Sequence, residues 1–378
     1  MVAITGHNAL PDARRIVVKV GSALLIDEGK NTINTAWLAG IANDITRLKS
    51  AGKDVVVVSS GAIALGSRLL KIRNKSMTLQ EKQAAAAAGQ VALAHAWMDA
   101  LGAQKVQTAQ ILLSPDDTET RRKHLNARAT IGALLELGAV PVVNENDTVA
   151  TVEIRFGDND RLAARVAAMI GADLLVLLSD VDGLYTGNPN HNQAAAHLPH
   201  IDQITDDIIA MAGAANAQYA SGGMITKLEA ARISTAAGCH MIICDGRDPE
   251  PLLRLEKGAP CSCFIATETP HAARKQWIAG ALTPRGTIAV DVGAAHALRR
   301  GKSLLPAGVV AVDGQFDRGD LIAVEDQAGR VIGHGLSSYN AGDAAKIKGH
   351  KSREIETMLG YRGRDEMIHA DNLVVIDN

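Results

Sequence analysis

Aromatic residues are scarce: 3 Phe, 3 Trp and 4 Tyr in 378 residues. Binders of single-stranded nucleic acid stack bases on aromatic platforms, and this chain has few to offer. Cysteine is equally sparse. Cys239, Cys244, Cys261 and Cys263 do not repeat the C-x2-C spacing of a zinc site, and four thiols make no disulfide framework, so a reducing compartment is expected. There is no excess of one charge: 39 basic against 41 acidic side chains leave a formal net of -2, so no global field draws the chain to polyanions or anionic lipid. Long apolar runs are missing too. The opening stretch MVAITGHNALPDARR has no signal-peptide core, and runs such as Leu174–Leu178 fall far short of the ~18 residues of a membrane span. A soluble, cytoplasmic protein is expected. Neither the Walker A spacing nor G-x-G-x-x-G occurs.

What is present is an ordinary globular composition, 47% hydrophobic and 21% charged, long enough for about two domains. Apolar, β-branched runs alternate with helical patterns. Ile16–Val20, Val55–Val58, Val140–Val143, Leu174–Leu178 and Met241–Cys244 read as buried strands. Leu38, Ile41, Ile45 and Leu48 recur at helical spacing, and Gln83–Leu101, Asp160–Ile170 and Thr226–Ala237 read as further helices. Continuous apolar strands between helices predict a mostly parallel sheet covered on both faces, an α/β fold. From Gly286 the pattern becomes short strands with glycine turns: Thr287–Val290, Gly308–Val312, Asp320–Glu325, Val331–Leu336 and Leu373–Ile376, a small β-rich domain. The expected division is a first domain over 1–270, a linker over 271–284 flanked by Pro270 and Pro284, and a second domain over 285–378.

The chemistry-bearing residues cluster in loops after strands, where open α/β sheets bind ligands. Lys19 ends an apolar strand before Gly21, and can set an ammonium beside a phosphate or simply snorkel outward. Ser60-Gly61 opens a strand-to-helix turn whose N–H groups suit an anion, or merely a capped turn. Asn144-Glu145-Asn146-Asp147 and Gly157-Asp158-Asn159-Asp160 are dense in carboxylates and amides, as ligand loops or as Asx turns and N-caps. Ser179-Asp180 follows a strand and can border a nucleotide. Ser221-Gly222-Gly223-Met224-Ile225-Thr226-Lys227 puts a lysine in a first helical turn, a position that favours an anionic partner for it. Two lysines, glycine loops and acidic–amide loops point together to phosphoryl transfer. No catalytic base stands out, and none is needed if the acceptor is an ionised carboxylate.

The ordered set VVKVGS, SSGAIALG, VNENDTVA, FGDNDRLAA, LLSDVDGLYT and SGGMITKLEAA resembles the amino acid kinase superfamily, and within it the glutamate 5-kinases. The resemblance runs from about Arg15 to Pro270 and continues into the tail, which is similar to the PUA module. It implies a three-layer αβα sandwich on a mainly parallel sheet, plus a small β-rich PUA-like domain. It also implies ATP and Mg²⁺ on one side of the carboxyl edge and L-glutamate on the other. Lys19 and Lys227 would then lie against the transferred phosphoryl group, with Asp158 orienting them and Asp160 at the edge of the site. Ser60, Asp147 and Asn159 would bind glutamate, with Gly61 and Asn144 close by. Ser179, Asp180 and Ser221–Lys227 would border ATP. The product would be glutamyl 5-phosphate, the first intermediate of proline synthesis, with proline as feedback inhibitor and a homo-oligomer as the expected assembly. The hydroxyl residues Ser179 and Ser221 stand where Thr is common in the family.

Other superfamily members phosphorylate aspartate, acetylglutamate, carbamate or UMP. The VNEND and GDND loops favour free glutamate, and the tail does not resemble the ACT domains of aspartate kinases. A regulatory RNA-binding role through the PUA-like domain is the reading from a different class. Residues 285–378 carry 12 Lys and Arg against 13 Asp and Glu, a poor balance for phosphate contacts, so RNA binding is not expected.

Overall fold

The computed structural model describes residues 6–27, 32–72, 76–149, 158–187, 189, 194–214, 223–280 and 283–376. The chain divides into two compact units, Met1–Pro270 and His271–Asn378.

The first unit is built on an eight-stranded sheet. In chain order its strands are β1 (Arg15–Val20), β2 (Asp54–Ser59), β3 (Thr108–Leu113), β4 (Val140–Glu145), β5 (Leu174–Ser179), β6 (His200–Ile201), β7 (His240–Asp245) and β8 (Cys261–Phe264). Their spatial order is β6-β8-β7-β5-β1-β2-β4-β3. The pairs from β7 to β3 are parallel, whereas β8 pairs antiparallel with β7 and parallel with β6. The expected strands are all present, each a residue or two longer at its ends. β3, β6 and β8 are additions to the sequence reading. β3 is an edge strand, half-solvated along most of its length.

The helices of this unit that frame the sheet are α1 (Thr35–Ser50), α2 (Ala62–Leu69), α3 (Leu79–Ala103), α4 (Arg121–Glu136), α5 (Asp158–Ile170) and α6 (Met224–Ala236). Strand side chains alternate between the two faces, and two separate cores result. On one face Val18, Val20, Val55, Val57, Val142, Val176 and Leu178 pack with Trp37, Leu38, Ile41 and Ile45 of α1 and Leu93, Trp97 and Leu101 of α3. On the other, Val17, Val56, Val58, Val143, Leu175 and Leu177 pack with Ile131 of α4, Ala163, Val166 and Met169 of α5, and Leu228 and Ala231 of α6. This is the three-layer αβα sandwich on a mainly parallel sheet. The 14 residues before β1, left without a role by sequence, include the helix Gly6–Asp12, whose Ala9 and Leu10 are buried in the first of these cores.

All four cysteines are free and buried. Burial, reinforced by the neighbouring Cys261, pushes the Cys263 thiol up to about 12, so it acts as a small apolar side chain rather than a thiolate.

The second unit is described by itself. It opens with α7 (Pro270–Gly280), where the composition suggests connecting chain. Arg274 of this helix donates to Asn372 Oδ1 at 2.7 Å and to the Asp371 carbonyl at 3.2 Å. A five-stranded sheet follows, with β9 (Gly286–Val290), β10 (Val309–Gly314), β11 (Leu321–Glu325), β12 (Val331–Leu336) and β13 (Leu373–Val375) in the order β10-β9-β11-β12-β13. It has its own core of Ile288, Val290, Ile322, Val324, Ile347 and Ile368 among others.

Candidate active site

The strand register brings the ends of β1, β2 and β5 to one level. Val20 pairs with Ser59 on one side and with Leu178 on the other. What each end presents follows from the alternation. Lys19 has the parity of Val17, so it leans over the face covered by α5 and α6. Ser59 and Asn144 have the parity of Val57 and Val142, so they lean over the face covered by α3.

The charged half of the site sits on the α5–α6 side. Asp160, in the first turn of α5, is 1% exposed. Its Oδ1 lies 2.5 Å from Lys19 Nζ, and its Oδ2 lies 3.1 Å from Lys227 Nζ. Thr226 Oγ1 donates to the same Oδ2 at 3.2 Å. Burial opposes ionisation of this carboxyl, but the ammonium groups of Lys19 and Lys227 outweigh it and hold its pKa below the usual carboxylate value. The first-turn position on α5 adds in the same direction, since a helix N-terminus favours negative charge. Two cations held by one anion leave a local excess of positive charge, which suits the oxygens of a transferring phosphoryl group.

The neutral half sits on the α3 side. Asn159, the neighbour of Asp160, donates from Nδ2 to Ser60 Oγ at 2.8 Å and to Asn144 Oδ1 at 3.1 Å. Asn144 Nδ2 in turn donates to Gln90 Oε1 on α3 at 2.7 Å. Trp97, seven residues further along α3, donates from Nε1 to Ser59 Oγ at 2.9 Å. Gly61 follows Ser60 with φ +110, a backbone conformation that glycine adopts without penalty, and it caps α2. Asp147 is buried in the short turn Asp147–Val149 just beyond β4.

The structure thus brings Lys19, Asp160, Thr226 and Lys227 together, and separately Ser60, Asn144 and Asn159. Asp160, expected at the edge of the site, lies between the two lysines. The orienting role expected of Asp158 cannot be placed beside it, because only the backbone of that residue, first in α5, is described. Ser179 is buried at the end of β5 and donates to Asp180 Oδ1 at 3.1 Å, while Asp180 itself is exposed. Gly223 caps α6, with Met224 and Ile225 in the first turn and Ile225 exposed. Ser221 and Gly222 lie outside the described residues. Gln90 and Trp97 were not singled out by sequence, and Ser59 only as the start of the SSGAIALG turn. The available signal was a lone glutamine within the small-residue run AAAAAGQVALA, where a polar side chain needs a partner.

No group of three or more His, Cys, Asp or Glu side chains among the described residues is arranged to hold a metal ion.

The amino acid kinase family matches residues 14–245 and the PUA domain matches residues 286–359. Over 366 residues the chain is 53% identical to the glutamate 5-kinase of Paramagnetospirillum magneticum, covering 97% of this chain and 99% of that one. It is 55% identical to the glutamate 5-kinase of Rhodopseudomonas palustris over the same length, covering 97% of each. Among solved structures, the UMP kinase from Bacillus anthracis is similar over 68% of this chain and 98% of its own, at 16% identity and a TM-score of 0.47.

Proposed function

The chain belongs to the amino acid kinase family, and from that premise we infer that it is a glutamate 5-kinase, transferring the γ-phosphoryl group of ATP to the side-chain carboxylate of L-glutamate. The product is L-glutamyl 5-phosphate, and the reaction opens proline biosynthesis. Relatives at this identity over nearly the whole chain carry the glutamate activity in their names, which favours it over aspartate, acetylglutamate or UMP as acceptor.

The observation that carries the mechanism is the single buried carboxylate between two ammonium groups. Glutamate's side chain is ionised at neutral pH, so one of its oxygens attacks the γ-phosphorus directly, the bond to the β,γ-bridging oxygen breaks, and ADP leaves. In this reading Lys19 and Lys227 face the charge that gathers on the transferring group. Asp160 holds both ammoniums in place before the substrates arrive, so little reorganisation is left to the transition state. Ser60, Asn159, Asn144 and Asp147 receive the amino acid, with Gly61 allowing close backbone approach. Ser179, Asp180 and the segment Ser221–Lys227 border the nucleotide, and the resemblance gives Asp158 the orienting of the lysines. Mg²⁺, carried by the ATP phosphates, would further neutralise charge there. Proline inhibition, homo-oligomer assembly and a cytoplasmic location belong to the same reading and rest on the resemblance. No helix among the described residues is long and apolar enough to cross a membrane.

The test is a panel of acceptors with ATP: glutamate, aspartate, acetylglutamate and UMP, followed by ADP release and by hydroxylamine capture of acyl phosphates. Glutamate should give both ADP and hydroxamate. A chain that turns over another acceptor and leaves glutamate untouched would overturn the assignment.

A further inference from the structure

We propose that Gln90 is a positioning residue that fixes which way the Asn159 amide faces, and so makes the site selective for an acceptor bearing an α-ammonium group. This rests on the reading of the site as that of a glutamate kinase.

A carboxamide has a donor end and an acceptor end of nearly equal shape, so its neighbours decide its orientation. The Ser59 carbonyl can only accept, and it lies 3.5 Å from Asn159 Nδ2. Asn159 therefore turns its nitrogen toward Ser59 and Ser60. Asn144 must then show Oδ1 to Asn159, which leaves its own Nδ2 in need of an acceptor. Gln90 Oε1 is that acceptor, at 2.7 Å. Asn144 is 2% exposed, so water does not readily take over. With no acceptor at position 90, Asn144 gains by turning over and offering Nδ2 to Asn159. Asn159 must then turn as well: the Ser60 hydroxyl, both donor and acceptor, does not resist, and the long 3.5 Å contact to the Ser59 carbonyl is the one bond that opposes the turn.

The outcome matters because Asn159 Oδ1 is buried and has no hydrogen-bond partner among the described residues. A buried acceptor without a partner awaits a donor, and an α-ammonium group supplies one. A turned amide would meet that cation with an NH2 group instead. The placement of Gln90 is itself built into the fold. A Cβ on Gly89 would fall 1.8 Å from the Ala62 carbonyl oxygen, and one on Gly66 would fall 1.6 Å from that of Ala85. Two glycines thus let α2 and α3 cross backbone to backbone, and α2 starts directly after the Ser60-Gly61 turn.

The experiment compares the full-length wild type with Gln90→Leu and Gln90→Glu, using ATP and glutamate, and glutarate as a competitor that lacks the amino group. Gln90→Leu removes the acceptor. It should raise the KM for glutamate about 10-fold or more, leave kcat and the KM for ATP within about 3-fold, and weaken glutarate binding much less. Gln90→Glu keeps an acceptor in place and should stay within about 3-fold of wild type for glutamate. Should Gln90→Leu not fold, Gln90→Met is the second acceptor-free variant. Equal weakening of glutamate and glutarate, an unchanged glutamate KM, or equal damage from Glu and Leu would each overturn the role of Gln90. A wild type that makes no acyl phosphate from glutamate overturns the kinase reading instead.

Discussion

Asn159 and Asp160 are neighbours in the first turn of α5, yet they face two different sets of groups. Asp160 faces two ammonium groups across a buried ion pair. Asn159 faces a chain of neutral groups: Ser60, Asn144 and, beyond it, Gln90. One helix start thus divides the site into a charged half and an amide half. The charged half suits the step in which charge moves, because electrostatic preorganisation acts on the transition state. The amide half suits recognition, because directed hydrogen bonds discriminate between acceptors that carry the same carboxylate. The lesson is that kcat and the acceptor KM should be separable by mutations only one residue apart.

The largest expected effect is in the charged half. Lys227→Ala removes one of the two cations held by Asp160 and should lower kcat by on the order of 10²–10³, with a smaller change in the KM for ATP. A variant with normal kcat and a raised ATP KM would reassign Lys227 to ground-state nucleotide binding and erase the contrast. In the amide half, Asp147→Ala should raise the glutamate KM about 10-fold or more while the ATP KM moves within about 3-fold. Steady-state kinetics with each substrate varied in turn check both, and equal changes for the two substrates would mark general damage.

The halves should also differ in their response to acid. In the charged half the group that responds is Asp160. The Asp160 carboxyl is lowered from its ordinary value of 3.8 by Lys19 and Lys227 against the cost of burial. A depressed carboxylate contributes stability that is complete above the unfolded value and is lost as pH falls through the folded one. Asp160→Asn should therefore destabilise the chain by about 3–5 kcal/mol at pH 7, because it leaves the buried Lys19 and the partly buried Lys227 ammonium groups without their anion. That deficit should persist down to about pH 4 and shrink below 3.8. Asn144→Leu in the amide half should show a deficit without this trend over the same range. Urea unfolding of both variants at several pH values measures the comparison, and parallel pH profiles would refute it.

Much of this division was legible in the sequence, and the reasons for the rest are physical. Strands such as Val55–Val58 are apolar on both faces because helices cover both, and that pattern is local. Lys19, Asn144, Asn159 and Asp160 stood out because they fall in loops at strand ends, where open α/β sheets bind ligands; each alone also reads as a snorkelling lysine, an Asx turn or an N-cap, and only the ordered set of motifs weighed against that. β3 was missed because an edge strand, half-exposed as TAQILL is, has no strong period. α7 was read as connecting chain because its flanking prolines and mixed composition say little about what it packs on, and Pro270 in fact occupies its first turn. Gln90 was missed for another reason. Its partner is 54 residues away in sequence, and nothing in an alanine-rich helix announces which face meets Asn144.

The smallest expected effect tests a broader contrast, between the two compact units. Every residue placed in either half of the site lies before Asp245. The cores that hold β1, β2, β4 and β5 draw on residues up to Phe264, while the second unit packs around Ile288, Val324, Ile347 and Ile368. Gly238 fixes where the first unit ends in practical terms. A Cβ there would fall 2.4 Å from the Thr269 carbonyl carbon and 2.6 Å from Pro270 N, so the chain is closely packed up to that point. A truncation should accordingly retain Pro270, and α7 should leave with the unit whose Asn372 it binds. We expect a chain ending at Pro270 to fold and to phosphorylate glutamate with a kcat within about 3-fold of the full chain, since every residue of the proposed site is retained. Changes should be confined to assembly state and to inhibition by proline. Light scattering and the hydroxamate assay on the same sample separate the outcomes. A monodisperse, folded truncation that makes no glutamyl phosphate would show that the second unit takes part in the chemistry. Aggregation would show instead that it shields apolar surface of the first.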